Sequence, residues 1–260
     1  MDYRDKVIIV TGGTKGIGEG CVRAFTGAGS RVVFCARNEV EGDKLATELK
    51  ANSGDVLFIK CDVSKTNDVK DLVDQTSEKY GRIDCLINNA GWHPPHKPID
   101  DFSVEEFRDL LDLNLVSIFA ACKFALPHLR KTKGNIINMA SLVGAIGQLH
   151  GATYVATKGA ITAFTKALAI DEAANGVRVN SVSPGNIYTP LWQQAIDESS
   201  NPERTRADGE AAQLLGRMGT IEEAGNLCLF IAAGATFTTG VDHILSGGAE
   251  LGYGAKSRMR

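Results

Sequence analysis

The sequence predicts one α/β domain, a doubly wound sheet of about seven parallel strands with helices on both faces. Three observations carry this. Seven short apolar runs recur along the 260 residues, and the runs are almost continuously apolar, as strands covered on both faces are. The segments between them show helical periodicity. No proline- or glycine-rich linker and no low-complexity tract divides residues 1–260.

The strands are read at 6–10, 31–35, 56–61, 83–87, 134–138, 177–182 and 241–245. Between the third and fourth, residues 67–80 put Val69, Leu72, Val73 and Thr76 at helical spacing. Longer helices are expected over 101–131 and 153–174. The segment 190–212, with its polar stretch at 193–210, reads as a mobile insertion.

Composition narrows the class. Hydrophobic residues make up 43% and charged residues 23%, which suits a globular core. A net charge of -3 offers no basic surface for nucleic acid or an acidic membrane. No apolar run is long enough to span a bilayer. Met1 to Asp5 leads straight into the first strand without the pattern of an export signal. The six cysteines, Cys21, Cys35, Cys61, Cys85, Cys122 and Cys228, form no C-x-x-C pair. They read as reduced core residues, and the expected location is cytoplasmic. No histidine–carboxylate cluster has metal-ligand spacing, so no metal is expected.

The first strand runs into Thr11-Gly12-Gly13-Thr14-Lys15-Gly16-Ile17-Gly18, and a helix follows at once. Glycines let a backbone approach a pyrophosphate, and the helix N-terminus supplies free N–H groups. A plain tight turn needs neither the strand before nor the helix after. The segment is therefore read as a dinucleotide cradle of the Rossmann type.

The glycine spacing is G-x-x-x-G-x-G. Further motifs follow in order: Asn88-Asn89-Ala90-Gly91 after strand four, Asn114 mid-chain, Ser141 after strand five, Tyr154-x-x-x-Lys158, and Pro184-Gly185-x-x-x-Thr189 after strand six. Together they resemble the short-chain dehydrogenase/reductase family over essentially the whole chain. Residues 89–95, 141–148 and 247–254 resemble the 17-beta-hydroxysteroid dehydrogenases within it.

The resemblance implies a soluble NAD(P)-dependent oxidoreductase acting on a secondary alcohol or ketone, a steroid 17-beta-hydroxyl or a fucose-like sugar. It implies that Asp62 and Val63 flank the adenine. Residues 88–91 steady the sheet beside the cofactor, so Asn89, Ala90 and Gly91 join the binding set. Pro184, Gly185, Ile187 and Thr189 face the nicotinamide. Read by its residue type alone, Asp62 is equally a turn or capping residue.

The end of strand two reads Cys35-Ala36-Arg37-Asn38. An acidic residue here accepts from the ribose 2′-OH of NAD, whereas an arginine pairs with the 2′-phosphate of NADP. Relatives of the subgroup carry aspartate, and this chain departs from them. Arg37, with Lys15 as a second cation, makes NADP(H) the favoured cofactor and NAD(H) the alternative. Read as surface residues, these cations are merely solvated.

Tyr154 and Lys158 stand four residues apart, on one helical face. A nearby ammonium favours a phenolate, so the pair can act as general acid and base. The resemblance gives Ser141 the task of orienting the reacting oxygen. It gives Asn114 that of holding a water that links Lys158 to solvent. By type alone, Ser141 is a turn serine and Asn114 a satisfied buried amide.

His93 and Gln148 are candidate substrate contacts, because their loops adjoin the catalytic segments. Trp92, Asn186 and Trp192 are read either as pocket walls or as packing residues. Tyr253 is placed in a pocket of its own or a neighbouring subunit, since glycines flank it and Leu251 precedes it. The long helices carry Phe119, Phe124, Phe164 and Leu168 on more than one face, which predicts a homo-oligomer, a tetramer by resemblance. The partners expected are thus a small-molecule substrate and copies of the chain, with no nucleic acid and no membrane. Two other readings compete: a 3-oxoacyl-thioester or general carbonyl reductase, and a catalytically silent dinucleotide sensor.

Overall fold

A computed structural model describes residues 1–52 and 54–251. Seven strands form one sheet: β1 (Val7–Thr11), β2 (Arg31–Ala36), β3 (Asp55–Lys60), β4 (Cys85–Asn88), β5 (Asn135–Met139), β6 (Arg178–Pro184) and β7 (Asp242–Leu245). All pairings are parallel, in the order β3-β2-β1-β4-β5-β6-β7. The chain winds outward in both directions from β1, which pairs with β2 on one side and β4 on the other. That reversal leaves a crevice at the strands' C-terminal ends, the usual ligand position in such sheets.

Among the described residues the α-helices are, in chain order, α1 (Gly16–Gly27), α2 (Glu39–Ala51), α3 (Thr66–Tyr80), α4 (Val104–Leu111), α5 (Ser117–Thr132), α6 (Val143–Ile146), α7 (Ala152–Glu172), α8 (Pro190–Asp197), α9 (Pro202–Ala211) and α10 (Ile221–Ala233). The sheet separates two cores. Ile9, Val33, Leu86, Ile136 and Val179 point to the face covered by α3, α5 and α7. Ile8, Val32, Ile87, Ile137 and Val182 point to the face covered by α1, α2 and α10. Successive strand residues feed opposite cores, which is why the strands are apolar without alternation.

Two features depart from the sequence reading. The 190–212 segment contains two helices, α8 and α9. Thr189 and Asn201 cap them, each accepting a backbone N–H, and Pro190 and Pro202 follow at the first turns. The other is the join of α4 to α5 through a π-turn, Asp112–Val116. The resulting helix, Val104–Thr132, is long and apolar enough to cross a membrane, although no uninterrupted apolar run signals it; half of its most apolar stretch is buried within the fold.

Candidate active site

The phosphate cradle joins β1 to α1. Gly12 and Gly16 have φ of 66° and 59°, a left-handed conformation that glycine adopts without steric cost. Gly18 has no room for a side chain: a Cβ there would lie 2.1 Å from the Gly12 carbonyl oxygen. The loop thus closes on the α1 N-terminus, which no side chain caps. Its free N–H groups fit an anionic pyrophosphate. Lys15 at the N-cap is exposed, and Thr14 and Ile17 are half-buried beside it.

Asn89 holds this loop. Its Nδ2 donates to the carbonyls of Thr11 and Gly12, each at 3.0 Å. The Asn89 and Ala90 backbone N–H groups donate to Thr11 Oγ1 at 3.0 and 3.1 Å. Thr11 was not singled out in the sequence, though its place at the strand end, before Gly12, signals it. Gly91 faces the catalytic residues: a Cβ there would sit 3.1 Å from Asn114 Oδ1 and 3.7 Å from Lys158 Nζ.

At the end of β2, exposed Arg37 lines a cleft of about 370 Å³ with Lys60, Asp62 and Lys65. Asp62 Oδ1 accepts from the Ser64 N–H and hydroxyl, so Asp62 serves as a turn residue. Burial raises its pKa, but the Ser64 hydrogen bonds and the Arg37 charge carry it below the ordinary value. Val63 is buried in the core beneath.

Across the crevice, Pro184 ends β6, and the Gly185 N–H donates to the Leu245 carbonyl at 2.9 Å. Ile187 is buried and bridges to Gly219. The Thr189 methyl lies 3.5 Å from where a Cβ on Gly16 would stand, so this loop meets the glycine loop.

Tyr154 and Lys158 lie one turn apart on α7, and Ser141 follows β5. The Ser141 side chain is near enough to Tyr154 to pull the phenol's pKa down. Lys158 is buried; its Nζ donates to the Met139 carbonyl at 2.8 Å and lies 5.7 Å from the Tyr154 ring centroid. Burial lowers the Lys158 pKa to about 8. Burial raises that of Tyr154 to about 12, against the pull of Ser141. Lys158 therefore changes charge close to neutral pH, where a proton-transfer site is useful.

Asn114 sits in the π-turn and is fully buried. Its Nδ2 donates to the Trp92 carbonyl and to Thr157 Oγ1, and its Oδ1 accepts the Trp92 N–H at 2.9 Å. π-Turns inside α-helices are frequent at functional sites. Here the turn fastens the loop after β4 to α7.

That loop brings His93 onto Tyr154, with ring centroids 4.1 Å apart. His93 Nε2 is 3.1 Å from Gln148 Oε1. His93 and Gln148 therefore meet beside Tyr154. Asn186 and Trp192 lie farther along: the Asn186 amide donates to the Gly209 carbonyl at 2.8 Å, and the Trp192 ring packs where Gly209 lacks a side chain. Both secure α9. Tyr253 lies outside the described residues. Among the described residues, no group of three or more His, Cys, Asp or Glu is placed to hold a metal ion.

A dinucleotide cradle facing a serine, a tyrosine and a lysine that can exchange a proton with an alcohol defines an NAD(P)-dependent oxidoreductase of alcohols and carbonyls. The comparisons agree: the chain belongs to the short chain dehydrogenase family, which matches residues 6–200. It is 51% identical over 255 residues to the L-fucose dehydrogenase of Bos taurus, covering 98% of this chain and 93% of that protein. Against the L-fucose dehydrogenase of Mus musculus the identity is 52% over 255 residues, with 98% and 92% covered. The ligand-free aldohexose dehydrogenase of Thermoplasma acidophilum superposes with a TM-score of 0.86 at 31% identity, covering 95% of both chains.

Proposed function

We propose that this enzyme oxidises a ring hydroxyl of a fucose-like sugar, with NADP⁺ as the preferred oxidant. The carrying observation is the identity of about half of all residues with proteins named L-fucose dehydrogenase, together with the Ser141, Tyr154 and Lys158 arrangement. When bound, the nicotinamide supplies the hydride acceptor. Tyr154 takes the hydroxyl proton, Ser141 steadies the reacting oxygen, and the Lys158 ammonium favours the phenolate. Asn114 supports the proton path behind Lys158.

The cofactor reading rests on Ala36 and Arg37. Ala36 cannot accept from a ribose diol, and Arg37 stands exposed at a cleft that Lys60 and Lys65 share with Asp62, Asp68 and Asp71. Fluorescence titration should give tighter binding of NADPH than of NADH. Ala36→Asp with Arg37→Glu should reverse the order. Equal or better NADH binding by the wild type would refute the Arg37 reading.

A steroid 17-beta-hydroxyl is the second substrate reading. The segments 89–95 and 141–148 resemble 17-beta-hydroxysteroid dehydrogenase type 14 in particular. On the loops and helix that border the site, Trp92, Ile146, Leu149 and Leu191 are exposed apolar residues that suit a hydrophobic substrate. Turnover of L-fucose, estradiol and a 3-oxoacyl thioester with each cofactor separates the readings. The sugar reading predicts the highest kcat/KM for L-fucose.

The proposed assembly is a homotetramer in the cytoplasm. Phe119 and Ile170 project from α5 and α7 and are exposed in the single chain. The six cysteines are all free and buried, as suits a reducing compartment.

A further inference from the structure

The His93 imidazole has two fixed partners. Nδ1 is 2.7 Å from the carbonyl oxygen of Pro94, and Nε2 is 3.1 Å from the side-chain oxygen of Gln148. A backbone carbonyl can only accept, so Nδ1 carries a proton whatever the charge of the ring. Neutral imidazole then has only a lone pair at Nε2 and needs a donor there. Imidazolium has a second N–H and needs an acceptor. Gln148 can be either, because its amide oxygen and nitrogen are nearly isosteric and exchange places by a half-turn.

The ring cannot evade this choice by turning away. Asn114 holds the backbone of the preceding residue, Trp92, through both its N–H and its carbonyl. On the other side the ring rests 4.1 Å from that of Tyr154. Gln148 is half-buried, and among the described residues its second amide atom has no protein partner. The titratable groups around His93 are Tyr154 from α7, with Lys158 behind its ring, and His96 on its own loop. His150, before α7, acts on His96 in turn. None is a carboxylate.

We propose that His93 and Gln148 form a proton-coupled switch: neutral His93 takes the Gln148 N–H and leaves the amide carbonyl for the substrate, whereas protonated His93 takes the carbonyl and leaves the N–H. This rests on the proposed sugar reading and refines it. In the neutral state the site accepts a hydrogen bond from a second hydroxyl beside the reacting carbon, which a polyol has and a simple alcohol lacks. In the protonated state it offers a donor instead, which a hydroxyl and an ether oxygen accept alike, so only the neutral state tells the free hydroxyl from its ether.

Two measurements test it. The first uses the whole cofactor-free protein, labelled with ¹⁵N-histidine, with the His93 signals identified by their loss in His93→Phe. Neutral His93 should carry its proton on Nδ1, and a neutral Nε2–H tautomer would overturn the switch. The second compares KM for L-fucose with KM for its methyl ether at the hydroxyl beside the reacting carbon, whose oxygen can only accept, over roughly pH 5 to 8, the range in which histidine changes charge. The ratio should fall about fivefold as pH rises, the size of one net hydrogen bond. In Gln148→Met the ratio should stay flat. A flat ratio in the wild type, or the same slope in Gln148→Met, would overturn it. If neither alcohol is turned over at any pH, the sugar reading fails, and the tautomer alone decides the switch.

Discussion

Replacing Lys158 by methionine should stabilise the cofactor-free protein at pH 7 while abolishing its chemistry. Burial takes the lysine pKa from 10.5 to about 8. At about 1.4 kcal/mol per pKa unit, charging the ammonium in place costs on the order of 3 kcal/mol at neutral pH. Methionine fills nearly the same volume and removes that cost. It also removes the 2.8 Å hydrogen bond to the Met139 carbonyl, which returns roughly 1–2 kcal/mol of penalty. The net gain is about 1–2 kcal/mol, on the order of 5 °C in Tm for a chain of this size. The pH dependence fixes the cause. Because the folded pKa lies below the unfolded one, the unfolded chain binds the extra proton between about pH 8 and 10.5. Wild-type stability therefore rises relative to Lys158→Met across that window. Below it both states are protonated, and the gap is constant. Urea unfolding of both proteins at pH 7, 8.5 and 10 measures the effect. A variant less stable than wild type at pH 7, or a gap unchanged up to pH 10, would refute the argument that Lys158 is held against its solvation.

Three further outcomes are expected. Tyr154→Phe should bind either cofactor as the wild type does in fluorescence titration, yet lose at least about 100-fold in kcat; wild-type turnover would remove Tyr154 from the proton path. Gly18→Ala forces a Cβ to within 2.1 Å of the Gly12 carbonyl, so the loop must move. Overpacking of this kind costs typically 1–3 kcal/mol, and calorimetric cofactor affinity should fall tenfold or more; unchanged affinity would show that the loop is not the cradle. Analytical ultracentrifugation at micromolar concentration should give a tetramer, and a monomer would show that the exposed Phe119 face has no partner.

The strands were legible because each must fill two cores at once. A residue such as Ile8 faces one set of helices and Ile9 the other, so the pattern that would mark a one-sided strand is absent and length becomes the signal. Tyr154 and Lys158 were legible because four residues make one helical turn, and the structure places Lys158 behind the ring. The π-turn at Asn114 was not legible. Leu113-Asn114-Leu115 reads as ordinary helix, and what accompanies the π-turn is tertiary: Asn114 grips the Trp92 backbone, and the Ser117 hydroxyl bonds the Leu113 carbonyl at 2.6 Å. His93 was placed near the site from its loop, but its stacking on Tyr154 depends on that same grip, between residues 22 apart. α8 and α9 were missed although both carried a local mark. Thr189-Pro190 and Asn201-Pro202 are cap-and-proline starts, and the charged composition after them concealed the helices.

The polar residues at the strand ends explain why the site holds its geometry. Asn88 on β4 donates to Asn138 on β5 at 2.9 Å, and Asn138 donates to Thr165 on α7 at the same distance. All three are nearly or fully buried. Apolar residues of similar volume would avoid the desolvation that these amides suffer. They would not, however, distinguish one sliding position of α7 against β5 from another, because apolar contacts have no direction. A directional bond between Asn138 and Thr165 does. Ser141 leaves the end of β5, whereas Tyr154 and Lys158 ride on α7, so their separation depends on that same register. A slip of one residue along the helix moves Tyr154 by about 1.5 Å, as much as separates a hydrogen-bonding distance from none. The amide chain thus acts on the reaction without touching the substrate: it fixes the distance between the hydroxyl that orients the oxygen and the phenol that takes the proton.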